Sequence, residues 1–97
     1  MTVQSDTLVN IKLKEPELFD VVIFNDDHTP MDFVTGLLTE IFNKNKQEAI
    51  NLMLSIHNDG SAVAGSYVFE IAEQKGVDAT TIARDNGYPL TIKINAR

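Results

Sequence analysis

The chain has 97 residues, 43 % of them hydrophobic, which is room for one small domain built on one core. Its 14 acidic against 8 basic residues leave a net charge of −6, the opposite of the basic face that nucleic-acid binding uses. It has no cysteine, which excludes disulfides and thiolate metal sites and fits a reducing cytoplasm, and no stretch approaches the roughly 20 apolar residues that a membrane span needs.

Residues 1–17 read as a flexible N-terminal extension, although the alternation from Leu8 to Lys14 leaves room for a short edge strand. They lack the basic start and apolar run of a signal peptide, so secretion is not expected. Residues 18–97 form the core domain. Phe19 to Phe24 are β-branched and aromatic, the pattern of a buried strand. A helix follows over 31–43, with Phe33, Val34, Leu37, Leu38, Ile41 and Phe42 at helical spacing. A second, over 46–57, carries Ala49, Ile50, Leu52, Met53, Leu54 and Ile56, and the short Asn43-Lys44-Asn45 link makes the two a hairpin. Asn58-Asp59-Gly60 stops that helix, and Ser61 to Tyr67 suits a short strand of small residues. A third helix is expected over 68–85, with Ile71, Ala72, Val77, Ile82 and Ala83 turned inward and Gly76 as a weak point. Asn86-Gly87 ends it, and Pro89 to Ile94 alternate as a half-buried strand should. The order is β-α-α-β-α-β, an α+β fold with a three-stranded antiparallel sheet packed against three helices.

Chemistry concentrates in Asn25-Asp26-Asp27-His28-Thr29-Pro30-Met31, between the first strand and the first helix. Thr29 suits an N-cap with Pro30 at the first helical position, and Asp32 completes a variant capping box. Two adjacent carboxylates on a pinned loop are either helix-start acids or a site for something cationic. His57 lies in the last turn of the second helix on the face shared by Met53 and Ile56. It either caps that helix end or, because the hairpin returns the second helix to the loop, meets the acids. Met31 and Met53 are either core packing or the walls of an adaptable apolar pocket. The spacing of His28, His57 and the two Asp matches no metal-ligand pattern, and no cofactor motif is present. Asp26, Asp27 and His57 would also serve as an acid/base set, but nothing names a substrate for one.

Four segments together resemble the ClpS family, adaptor proteins of the ATP-dependent Clp protease: NDDHTPMDFV at 25–34, NLMLSIHNDG at 51–60, GSAVAGSYVFEIAEQK at 60–75 and ARDNGYPL at 83–90. The resemblance implies a non-enzymatic adaptor that binds N-degron substrates by a free α-amino group and a large hydrophobic first residue (Leu, Phe, Tyr or Trp). Such an adaptor passes them to the N-domain of a Clp AAA+ unfoldase, ClpA or ClpC, for degradation by ClpP. It further implies that Asn25, Asp26, Asp27 and His57 hold the α-amino group and first peptide unit. Thr29, Met31, Val34, Met53, Ile56 and Leu90 would wall the side-chain pocket, and Glu70 and Lys75 would lie on the unfoldase-docking face. The protein is expected to be a cytoplasmic monomer without cofactor, metal, nucleic-acid or membrane partner, its extension serving in delivery. His28 stands where the family commonly has Tyr or Phe, and Gly76 and Asp78 are unusual in the third helix. The alternatives are another protein-binding module, similar in fold to the C-terminal domain of the ribosomal stalk protein, or an Asp/His hydrolase.

Overall fold

The computed structural model describes residues 16–97. The expected extension, apart from Pro16 and Glu17, lies outside the described residues, as does the edge strand suggested at 8–14. Six elements follow in the expected order: β1 (Phe19–Phe24), α1 (Met31–Glu40), α2 (Lys46–Asp59), β2 (Ser61–Tyr67), α3 (Phe69–Asp85) and β3 (Thr91–Ala96). The sheet is antiparallel with β1 in the centre, order β2-β1-β3. Val21 and Ile23 on β1 are fully buried, as the apolar run required of a central strand covered by helices. Between β1 and β2 the register slips at Val21/Val22, so Ala64 is an extra residue opposite β1. β3 begins at Thr91, two residues later than its alternation suggested, and still turns Ile92 and Ile94 toward the core.

α1 ends at Glu40 rather than running to 43, because the chain turns out of the helix there. Asn43 takes a left-handed φ of 58°, and the Lys44 N–H closes onto the Leu38 carbonyl at 3.0 Å. Asn is among the few non-glycine residues that visit this region readily. α2 starts from a reciprocal capping box: the Glu48 N–H donates to the Asn45 side chain at 2.8 Å, and the Asn45 N–H donates to Glu48 Oε1 at 3.0 Å. It ends at Gly60, whose φ of 95° favours glycine and whose N–H bonds Ile56 O.

α3 corrects one expectation. Ile71 and Val77 are 46 % and 54 % exposed, not inward. The buried face is Ala72, Gly76, Ala79 and Ala83, at spacings of three and four. Small residues let the helix backbone approach the sheet closely. A Cβ built at Gly76 would already stand 3.4 Å from Ile94 Cδ1. Arg84, in the last turn, donates to the carbonyls of Tyr88 at 2.9 Å and Leu90 at 2.8 Å. This pins the link to β3 and seats Leu90 fully inside the core. Among the described residues no helix is long and apolar enough to cross a membrane.

Candidate functional site

Topology brings His57 to the acidic loop. β1 ends at Phe24, which pairs with Ser61 at the start of β2, and α2 runs into β2 through Gly60 alone. The Asn25 N–H closes the junction by donating to Gly60 O at 2.9 Å. His57, three residues before that carbonyl, therefore faces the loop that follows β1. Asn25, Asp26, Asp27, Thr29, Pro30, Met31 and His57 line one cavity of about 270 Å³. Six of these seven were expected site residues, and the seventh, Pro30, follows from being between two of them.

The loop is a self-bonded turn. Asp26 O accepts the Thr29 N–H at 3.2 Å, while Asp26 Oδ2 accepts the Thr29 hydroxyl at 2.7 Å and the His28 N–H at 3.0 Å. Thr29 is therefore not the N-cap. Its hydroxyl turns back to Asp26, no side chain caps α1, and Pro30 holds the cap position with its carbonyl accepting the N–H groups of Phe33 and Val34. The capping box expected with Asp32 does not form: Pro30, which has no side-chain acceptor, holds the cap position, and among the described residues no side chain caps the helix start. Asn25, Asp27 and His57 are exposed, and among the described residues their side chains have no hydrogen-bond partner. The cavity thus presents two carboxylates, an amide and an imidazole, with no lysine or arginine among its walls. That set favours a cationic hydrogen-bond donor.

The apolar side is layered. Met31 stands at the cavity wall, 42 % exposed, while Val34, Ile56 and Leu90 are 6 %, 2 % and 0 % exposed and belong to the core. Met53 is half-buried and packs against the same core. None of these last four lines the cavity itself. His28 is exposed and outside the cavity lining. Among the described residues no three His, Asp or Glu side chains are arranged to hold a metal ion.

Glu70 and Lys75 lie away from this cavity, on α3. Glu70 is exposed in the first turn, between exposed Phe69 and Ile71. Lys75 is half-buried, its Nζ donating to Ile41 O at 2.6 Å and lying 5.3 Å from the centre of the Tyr67 ring. It satisfies a carbonyl just past the end of α1 that the helix leaves unpaired. Burial pushes the Tyr67 hydroxyl up from its ordinary pKa, so the ring beside Lys75 stays neutral. The sequence patterns missed this tie, as they missed Arg84, because both bonds join elements distant in sequence or a loop without periodicity.

A model of the family described as "ATP-dependent Clp protease adaptor protein ClpS" matches residues 14–93. The chain belongs to the ClpS family. ClpS proteins are adaptors of the Clp protease, not enzymes. A ClpS adapter of Treponema denticola is 44 % identical over 91 residues, covering 94 % of this chain and 90 % of that protein. One from Helicobacter hepaticus is 42 % identical over 87 residues, covering 90 % of this chain and 88 % of that one. The structure of Agrobacterium tumefaciens ClpS2 bound to L-phenylalaninamide superposes with a TM-score of 0.82 at 34 % identity, over 86 % of this chain and 100 % of that one. The three-stranded sheet with three helices is therefore the ClpS fold, and the work of this ClpS-family chain lies with the Clp protease system.

Proposed function

We propose that this protein is an N-degron adaptor that binds a substrate's free α-amino group together with a large hydrophobic N-terminal side chain, Leu, Phe, Tyr or Trp. The observation that supports it best is the joining of Asn25, Asp27 and His57 with Met31 in one cavity, over a core that contains Val34, Ile56 and Leu90. Phenylalaninamide, bound by the Agrobacterium relative, carries the three groups such a site would read: an ammonium, a first carbonyl and an aromatic side chain.

The chemistry follows from the groups. A free α-amino group has a pKa of about 7.7–8.0 and is largely cationic at neutral pH. Asn25 and the Asp pair accept from it, and a neutral His57 adds another acceptor through a ring nitrogen. Each such charge-assisted bond contributes roughly 1.5–3 kcal/mol. An internal residue offers an amide there instead and is rejected. Burying the first side chain adds about 1.5–3 kcal/mol. Met31, flexible and polarizable, adapts the cavity wall to aromatic or aliphatic shapes beside the buried Thr29, while Met53 packs against the core. A β-branched side chain puts its bulk beside Met31 and fits less well.

Delivery to the N-domain of ClpA or ClpC, in the cytoplasm and by a monomer, completes the reading. Glu70, flanked by exposed Phe69 and Ile71, offers a docking contact. Lys75 supports that face from within through its bond to Ile41 O. The 17-residue extension is assigned to delivery, and a maximum of about 3.3–3.6 Å per residue sets an upper limit of roughly 60 Å on its reach.

The test is binding of a fluorescent peptide beginning with Phe, beside its N-acetylated twin. Loss of one or two charge-assisted bonds predicts a drop of about 10- to 100-fold or more for the acetylated peptide. Equal binding of both peptides, or binding of neither, refutes the proposal.

A further inference from the structure

Residues 86–90 join α3 to β3 with few fastenings. The N–H groups of Asn86, Gly87 and Tyr88 bond back to carbonyls at the end of α3. Beyond them comes Pro89, which has no N–H to give. The carbonyls on either side of it, those of Tyr88 and Leu90, are both held by one nitrogen, Arg84 Nη1, at 2.9 and 2.8 Å. Arg84 is exposed in the last turn of α3, and its planar guanidinium fixes the direction of both bonds.

The link reaches the candidate site from behind. The Tyr88 ring packs edge-on against Phe33, centroids 4.8 Å apart, and Phe33 stands on α1 between Met31 and Val34. Leu90 is fully buried in the cluster that contains Val34 and Ile56, the core on which the side-chain pocket rests. Whatever holds the Tyr88 and Leu90 carbonyls therefore holds a flank and part of the floor of that pocket.

We propose that Arg84 is a positioning residue for the side-chain pocket, fixing Leu90 and Tyr88 by their carbonyls and so setting the size of the N-terminal side chain that binds best. This rests on the adaptor reading above and deepens it. Arg84 does not line the cavity, so it acts through the link and not by touching a substrate. Without the guanidinium the floor yields under a large ring, while a small side chain loses contacts beneath it. Loss of folded protein would scale affinity for every first residue by one factor, whereas a yielding floor changes the ratio between them.

The experiment compares Arg84→Met and Arg84→Lys with the unaltered full chain. Affinity is measured for peptides that differ only in a first residue of Leu, Phe or Trp, and for the N-acetylated Phe peptide, beside amide hydrogen exchange at Tyr88. Arg84→Met keeps the aliphatic stem and removes both donors. It should move the Trp-to-Leu affinity ratio toward Trp by about threefold or more, a part of the roughly 10- to 200-fold that a whole methylene is worth in an apolar pocket. Exchange at Tyr88 should quicken. Preference for the free amine over its acetylated twin should stay within about twofold, because the acidic loop is held by its own turn. Arg84→Lys keeps the charge without the planar fork and should show a smaller shift in the same direction.

Two results overturn the proposal. One is an unmoved ratio in Arg84→Met, whether affinities fall together or not at all, which leaves Arg84 a role in stability alone. The other is a moved ratio with unchanged exchange at Tyr88, which separates selectivity from the link. If Arg84→Met does not fold, Arg84→Lys decides, and an unmoved ratio there overturns the proposal. If the unaltered protein does not prefer the free amine, the adaptor reading fails and this role falls with it. A retained free-amine preference with an unmoved ratio refutes the role of Arg84 alone.

Discussion

Gly76→Ala places one methyl group where α3 crosses β3, and the structure predicts that the protein becomes more stable. Glycine inside a helix costs about 0.8–1.0 kcal/mol relative to alanine, because it surrenders more backbone freedom on folding. That gain is realised only if the methyl fits. The nearest atoms to the added Cβ are Ile94 Cδ1 at 3.4 Å and Cγ1 at 3.7 Å, ordinary contact with the mobile end of one side chain. Gly76 lines a groove of about 360 Å³ with Val77, Thr80, Ile92 and Ile94, so the methyl enters space rather than a filled core. Part of the roughly 0.8 kcal/mol for a buried methylene adds to the helix term, for a total of about 1–1.5 kcal/mol. In a domain of this size, that raises the thermal midpoint by about 4–12 °C. Urea unfolding should show a higher midpoint with an unchanged slope. Peptide affinity should not move, since this groove shares no residue with the binding cavity. A lowered midpoint would refute the reasoning by showing that α3 and β3 are packed too tightly for a methyl.

Lys75→Ala should destabilise the fold by about 1.5–3 kcal/mol, because it leaves Ile41 O without its charged donor, and Lys75→Met should recover only the part due to the stem. If unfoldase docking falls while denaturant unfolding is unchanged, Lys75 acts at the docking face and its bond to Ile41 is incidental. His57→Ala should weaken binding of a Phe-initiated peptide by about tenfold or more, because it removes one acceptor from the cavity wall, and unchanged affinity would show that the ring takes no part. Loss of binding well above pH 8 should follow the substrate's own α-amino group and be the same in both proteins.

Much of the fold is local in origin and was legible as such. β1 reads from a β-branched apolar run, α1 and α2 from helical spacing, and their hairpin from a three-residue link. The meeting of His57 with the acidic loop was also accessible, because a hairpin of two helices must bring the second back toward the start of the first. Burial on α3 was not. Ile71 and Val77 look inward by hydrophobicity, yet Ala72, Gly76, Ala79 and Ala83 face the sheet. Periodicity tells which residues share a helix face, but the distance between helix and sheet decides whether a large or a small face fits.

The acidic loop divides in the same way. Its composition, Asn and two Asp before Thr-Pro, determined that acceptors would crowd between β1 and α1. Which acceptors remain free was decided by the turn itself, where Thr29 gives its hydroxyl to Asp26 instead of capping α1. Lys75 likewise reads as a surface charge in sequence and is bonded to Ile41 in the fold. The sequence by itself determined the strand and helix order, the family and the residue types of the site, since these depend on local spacing and composition. The tertiary structure decided which carboxylate stays available, which face of α3 is buried and what Lys75 holds. Each of these depends on a partner that only packing brings within reach.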